Sequence, residues 1–150
     1  MQEQFLTSSA EETEAIGEKI AEQQKNGKLP LFVALYGDLG VGKTAFVRGV
    51  ARVLCPGAAV RSPTFALVNE YKGDLPIYHF DMYRITDEDE LYSIGYDDYL
   101  TKKAVILVEW SENIPYALPD HHLKISIEKT SPERPDERLI KIEEKGGQKC

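Results

Sequence analysis

An α/β fold with a mixed, mostly parallel central sheet flanked by helices is what the sequence predicts, and three observations predict it. Residues 31–36 (Leu-Phe-Val-Ala-Leu-Tyr) form a short continuous apolar run, as a strand buried on both faces should. Residues 44–54 follow with apolar side chains at helical spacing. Residues 104–108 (Ala-Val-Ile-Leu-Val) then supply a second continuous apolar run, and a strand–helix unit later joined by such a run is the pattern of a parallel sheet with helices against it.

The remaining elements follow in chain order. Thr7-Ser8-Ser9, with Glu11 and Glu12 behind it, reads as a helix start with hydroxyl caps and early acids. Ala15, Ile16, Ile20 and Ala21 give that helix an apolar face, and Asn26-Gly27 stops it. The helix over 44–54 ends at Cys55-Pro56-Gly57. Residues 65–71 and 75–80 read as two strands of a hairpin joined by Lys72-Gly73-Asp74. The acidic stretch 86–100 contains a short helix capped by Thr86 or Asp87. Residues 123–128 and 139–143 are further strands, with 131–135 as the loop. The hairpin and the C-terminal strands make part of the sheet antiparallel. No internal repeat is present.

At 150 residues the chain is most simply one domain spanning 1–150, with a flexible tail over its last few residues. Its 42% hydrophobic and 29% charged composition is that of a soluble globular protein. No apolar stretch approaches the roughly 20 residues that cross a bilayer, so no membrane partner is expected. The start, Met1-Gln2-Glu3-Gln4-Phe5, lacks the basic and apolar regions of a signal peptide, which makes the cytoplasm the expected compartment. A net charge of −7 argues against a protein that coats nucleic acid by itself, DNA included, but allows a partner that carries it. Cys55 and Cys150 lie far apart without ligand spacing and indicate neither zinc nor a disulfide framework.

Chemistry enters at Gly37-Asp38-Leu39-Gly40-Val41-Gly42-Lys43-Thr44, which fits the phosphate-binding loop G-x-x-x-x-G-K-[ST] at every fixed position. Strand, glycine loop and helix together aim main-chain N–H groups and a positive helix end at a phosphate. The glycines allow close backbone approach, Lys43 reaches the β- and γ-phosphates, and the Thr44 hydroxyl ligates Mg²⁺. No Asn-Lys-x-Asp segment is present to read guanine, which favours ATP over GTP.

The second apolar strand runs into Glu109-Trp110, and the C-terminal end of such a strand is where P-loop enzymes place a magnesium-side acid. Asp is the usual residue there. Glu109 can hold Mg²⁺ directly, act through a water, or orient the attacking water. Asp81, after Tyr78-His79-Phe80, is on its own terms an ion-paired structural group, and His79 a hydrogen-bonded core histidine. Thr64, in Arg61-Ser62-Pro63-Thr64-Phe65, fits a γ-phosphate sensor and an ordinary turn equally well. Arg84 and Arg48 are candidates for transition-state neutralisation, although a surface arginine is the commoner outcome. Trp110 reads as a packing residue.

Taken together, the P-loop, Ser62-Pro63-Thr64-Phe65, Tyr78-His79-Phe80-Asp81-Met82-Tyr83-Arg84 and Val108-Glu109-Trp110 resemble the TsaE (YjeE) family over about residues 11–142. The resemblance implies a small bacterial P-loop ATPase of the machinery that makes threonylcarbamoyladenosine (t6A) in tRNA. It implies ATP and Mg²⁺ as ligands, with slow hydrolysis by the protein alone. It further implies TsaB and TsaD as partners, TsaD transferring the threonylcarbamoyl group to adenosine 37, with the ATP cycle resetting their complex and tRNA met only through it. By the same resemblance, residues 37–45 through Ala45 bind nucleotide, and Thr44 and Glu109 are metal-side. Asp81 activates water or organises the metal, with Lys43 and Glu109 beside it in catalysis. Thr64 belongs to a switch-like loop, Thr13 approaches the base, and Arg138 is a nucleotide-side arginine. The same residues are also compatible with a P-loop small-molecule kinase, or with a non-hydrolysing module that uses ATP as a conformational ligand. A kinase usually needs an Arg-rich lid, and the segment 86–100 is acidic instead.

Overall fold

The computed structural model describes residues 2–38, 40–63 and 67–146. Among these residues seven strands form one sheet: β1 (Gln2–Thr7), β2 (Phe32–Tyr36), β3 (Val68–Tyr71), β4 (Ile77–Asp81), β5 (Val105–Glu109), β6 (His122–Ser131) and β7 (Arg134–Lys145). Their spatial order is β1-β7-β6-β2-β5-β4-β3. The four central strands β6, β2, β5 and β4 run parallel; at one edge β3 pairs antiparallel with β4, and at the other β7 pairs antiparallel with β6 and β1 antiparallel with β7. The mixed sheet expected from the two apolar runs is therefore present, with its parallel part in the centre. Among the described residues no helix is long and apolar enough to cross a membrane.

Both faces of the central strands are covered. Val33, Leu35, Val105, Leu107 and Ile77 pack under helices α1 (Ala10–Lys25) and α2 (Lys43–Leu54), together with Phe46, Val47 and Val50. Phe32, Ala34, Ile106, Val108, Tyr78 and Phe80 face the other way, against the short helices α3 (Glu88–Ser93) and α4 (Tyr96–Leu100) through Leu91 and Tyr96. Alternation along a strand thus buries every residue of β4 and β5, which is why they read as continuous apolar runs.

The helix that packs behind the glycine loop is held by its neighbour. Ser9 caps α1 by accepting from the Glu12 N–H, and the Glu12 carboxylate accepts in return from the Ser8 N–H at 2.8 Å. Helices α1 and α2 then approach so closely that Gly17 and Gly49 face one another's backbones. A Cβ on Gly49 would lie 1.9 Å from the Glu14 carbonyl oxygen. At the edge of this contact Glu14 takes Arg52 at 2.6 Å and Arg48 at 3.1 Å, and these guanidiniums hold its carboxyl below the usual carboxylate range. Arg48 is therefore a helix–helix ion-pair residue.

Three expectations need revision. The N-terminal strand β1 pairs with β7 where no element was expected; its residues are mostly polar and it buries only Thr7, so no apolar alternation marks it. The segment 86–100 holds two helices, because Gly95 at φ +80° ends one and starts the next. Residues 131–135 are mostly strand rather than loop: β6 and β7 run on to a two-residue turn at Pro132-Glu133 and meet at Ser131 opposite Arg134. The expected strand start at Phe65, the switch residue Thr64 and the tail from Gly147 lie outside the described residues. Cys55 is buried and in no disulfide among the described residues, with its thiol pKa raised by burial.

Candidate nucleotide site

Because β2, β4 and β5 are parallel, their C-terminal ends open on one edge of the sheet, the edge where open α/β sheets bind ligands. The loop leaving β2 crosses this edge and becomes α2 at Lys43. Three of its described residues have positive φ: Gly37 at +141°, Gly40 at +80° and Gly42 at +111°. A Cβ on Gly37 would sit 2.5 Å from the Ile127 carbonyl oxygen, so the loop there lies hard against β6. Gly40 and Gly42 face open space instead. Leu39 lies outside the described residues.

Lys43 is nearly buried. Its Nζ donates to the Gly37 carbonyl at 2.7 Å, stands 3.8 Å from Glu109 Oε1, and lies 4.9 Å from the centre of the Trp110 ring. Glu109 is the last residue of β5, and Asp81, the last of β4, pairs with it in register. Both point to the α2 side, two residues beyond Leu107 and His79 on the same faces. The strand ends are clamped: the Met82 N–H donates to the Glu109 carbonyl at 3.0 Å, and the Tyr83 N–H donates to Asp81 Oδ1 at 2.9 Å. Trp110 then turns the chain away at φ +58°, a left-handed conformation rare for a bulky side chain and one that clusters at functional sites. Its ring packs 5.0 Å from that of Tyr83.

Thr44 sits half-buried in the first turn of α2, and Ala45 behind it is buried. Thr13 and Arg138, far apart in sequence, meet here. Together with Ser9, Gly40, Gly42 and Ala45 they line a pocket of ≈ 130 Å³ beside the loop. The Thr13 hydroxyl is 2.9 Å from that of Thr7, and Arg138 Nε donates to the Val41 carbonyl at 2.7 Å. Arg138 reaches the loop because the β6–β7 arm runs past the end of β2, which stops opposite Ser126. On the other side of the loop, Gly37, Asp38 and Val41 border a cleft of ≈ 660 Å³ with Tyr36, Ile127 and Lys129. Burial and the nearby Glu112 carboxylate push the Tyr36 hydroxyl upward, so it stays protonated at neutral pH. The exposed Arg61 and Arg84 lie on the loop after α2 and just past β4.

The sequence marks His79 as a hydrogen-bonded core histidine but not as a partner of Glu109. The residue is fully buried, and its Nε2 is 2.5 Å from Glu109 Oε2. The signal was available: His79 stands two residues before Asp81, hence on the same face of β4.

A left-handed glycine loop, a helix starting with its lysine, and two strand-end carboxylates define a P-loop nucleotide-binding protein. The model of the family "Threonylcarbamoyl adenosine biosynthesis protein TsaE" matches residues 7–140. The chain belongs to the TsaE family. It is 42% identical over 137 residues to the tRNA threonylcarbamoyladenosine biosynthesis protein TsaE of Bacillus subtilis, covering 91% of this chain and 82% of that one. The protein of the same name from Haemophilus influenzae is 40% identical over 99 residues, 65% of this chain and 63% of that one. Among solved structures, the crystal structure of Bacillus subtilis YdiB superposes with a TM-score of 0.76 at 33% identity, covering 98% of this chain and 87% of that chain.

Proposed function

We propose that this protein is a Mg²⁺-dependent ATPase that supports t6A formation at adenosine 37 of tRNA by resetting a TsaB–TsaD complex through ATP hydrolysis. The observation that carries the reading is the convergence of Lys43, Glu109 and Asp81 at the glycine loop, with Lys43 Nζ 3.8 Å from Glu109 Oε1 and Asp81 in register with Glu109. Family membership supports the t6A role, since its model and the two relatives carry that process in their names.

The residues fit ATP and Mg²⁺. Gly40 and Gly42 leave room for phosphate oxygens against the main chain. Among the described residues no three His, Cys, Asp or Glu side chains gather to hold an ion by themselves. Mg²⁺ characteristically takes one or two protein ligands with phosphate oxygens and water, and Thr44 and Glu109 are of that kind. When bound, the ion neutralises charge developing on the β- and γ-phosphate oxygens. Lys43 exchanges its bond to the Gly37 carbonyl for those oxygens. Asp81, one oxygen fixed by the Tyr83 N–H, orients the attacking water for in-line displacement. With that oxygen fixed, the role proposed for Asp81 is to orient the water rather than to abstract its proton. Thr13, Ala45 and Arg138, which line the pocket beside the loop, would border the nucleoside, and by the family resemblance Asp38, Leu39 and Thr64 would join in binding the nucleotide.

Steady-state phosphate release, alone and with TsaB–TsaD, together with t6A formed per complex on tRNA, tests this. Slow hydrolysis that the partners accelerate, and repeated t6A turnover that Lys43→Ala abolishes, are expected. Wild-type t6A turnover by Lys43→Ala would overturn the resetting role, and a phosphorylated metabolite in place of free phosphate would mark a kinase.

A further inference from the structure

Beneath the site runs a buried chain of polar contacts that the proposed hydrolysis does not explain. It starts on the loop after α2, where both main-chain groups of Arg61 close on one side chain. The Arg61 N–H donates to the Tyr71 hydroxyl at 3.1 Å, and that hydroxyl donates to the Arg61 carbonyl at 3.0 Å. The Tyr71 oxygen is also 3.3 Å from His79 Nδ1. From His79 the chain passes through Nε2 to Glu109 Oε2 at 2.5 Å, and from Glu109 Oε1 to Lys43 at 3.8 Å. It therefore crosses β3, β4 and β5 to α2, and all four side chains are buried.

The 2.5 Å contact joins His79 Nε2 to one carboxylate oxygen, with a hydrogen held between them. One Glu109 oxygen is thereby occupied inside the core, and only Oε1 is left toward Lys43 and the glycine loop. Without His79, the Glu109 side chain would have several rotamers and an unsatisfied buried oxygen. We infer that His79 is a positioning residue: it turns Glu109 so that Oε1 faces Lys43, and through Tyr71 it ties that orientation to the main chain at Arg61. The inference rests on the reading of Glu109 as the magnesium-side acid.

Three variants separate this from simple core filling. His79→Leu fills the space without a donor, His79→Gln keeps an N–H toward Glu109, and Tyr71→Phe cuts only the link to Arg61. The measurements are thermal midpoint, Mg²⁺-free binding of a fluorescent ADP analogue, and kcat with its Mg²⁺ dependence. His79→Leu is expected to bind nucleotide like wild type without Mg²⁺, but to lose about 10-fold or more in kcat or Mg²⁺ half-saturation, the usual cost of removing a partner behind a metal ligand. His79→Gln recovers most of that loss, and Tyr71→Phe falls between. Wild-type Mg²⁺ dependence in His79→Leu would overturn the inference, as would equal losses in Leu and Gln that track the thermal midpoint. If His79→Leu does not fold, wild-type Mg²⁺ dependence in Tyr71→Phe together with full loss in His79→Gln overturns it instead. A crystal structure of the His79→Gln or His79→Leu protein decides the point even if the wild type proves not to hydrolyse ATP, which would refute the ATPase reading alone. Glu109 turned away from Lys43 in Leu but not in Gln supports His79 as its positioner, and an unmoved Glu109 in Leu refutes it.

Discussion

Adding one methyl group at Gly49 tests how the site is mounted. In an unconstrained helix Gly→Ala stabilises by about 1 kcal/mol. Here the new Cβ would lie 1.9 Å from the Glu14 carbonyl oxygen and 2.8 Å from its carbon, both main-chain atoms that cannot swing aside. Restoring the 3.4 Å of ordinary contact requires about 1.5 Å of separation between α1 and α2. Gly17 offers no slack, since a Cβ there would already be 2.3 Å from the Phe46 carbonyl oxygen. Overpacking at the upper end of its usual range costs about 3 kcal/mol, so the net loss is about 2 kcal/mol after the propensity gain. For a domain of this size that lowers the thermal midpoint by about 4–8 °C. Separation of the helices also draws Thr13 away from Gly42 and Ala45, so nucleotide affinity should fall with stability. Circular dichroism melts and titration with a fluorescent nucleotide measure both. An unchanged or higher midpoint for Gly49→Ala would refute the claim that backbone contact sets the α1–α2 spacing.

Two further outcomes follow from the same geometry. Arg138→Met removes a charged donor to the Val41 carbonyl, a bond of a kind worth about 1.5–3 kcal/mol, and should weaken nucleotide binding by about tenfold or more; wild-type affinity would show that the arm does not hold the loop. Glu14, its folded pKa lowered from the ordinary 4.5 chiefly by Arg52, contributes stability that is full above that value and is lost as pH falls through the lowered one. The stability gap between wild type and Glu14→Gln should therefore close on acidification below 4.5; a gap unchanged in acid would show that it is not electrostatic.

Much of this was legible in the chain because each signal was local. The P-loop specifies its own strand, turn and helix, and β4 and β5 announce themselves because both faces are buried. The parts that escaped are held by pairing rather than by apolar pattern. Past Ile127 the β6–β7 arm leaves the core, so its residues are mostly polar on both faces and alternation carries little information; the ladder from Glu128 opposite Leu139 to Ser131 opposite Arg134 sustains it. β1 escaped for the same reason. Glu109 and Asp81 were legible as strand-end acids, but their alignment depends on the register of β4 against β5. Nothing in sequence separation hints that Arg138 meets Val41, 97 positions away.

The most direct test of the central claim, one site in which Lys43 binds phosphate and Asp81 turns it over, compares Lys43→Ala with Asp81→Ala in equilibrium ATP binding and in phosphate release. The account predicts that Lys43→Ala weakens binding, whereas Asp81→Ala binds as wild type does and loses turnover. Equal loss of binding in both variants, or undiminished hydrolysis by Asp81→Ala, would contradict it.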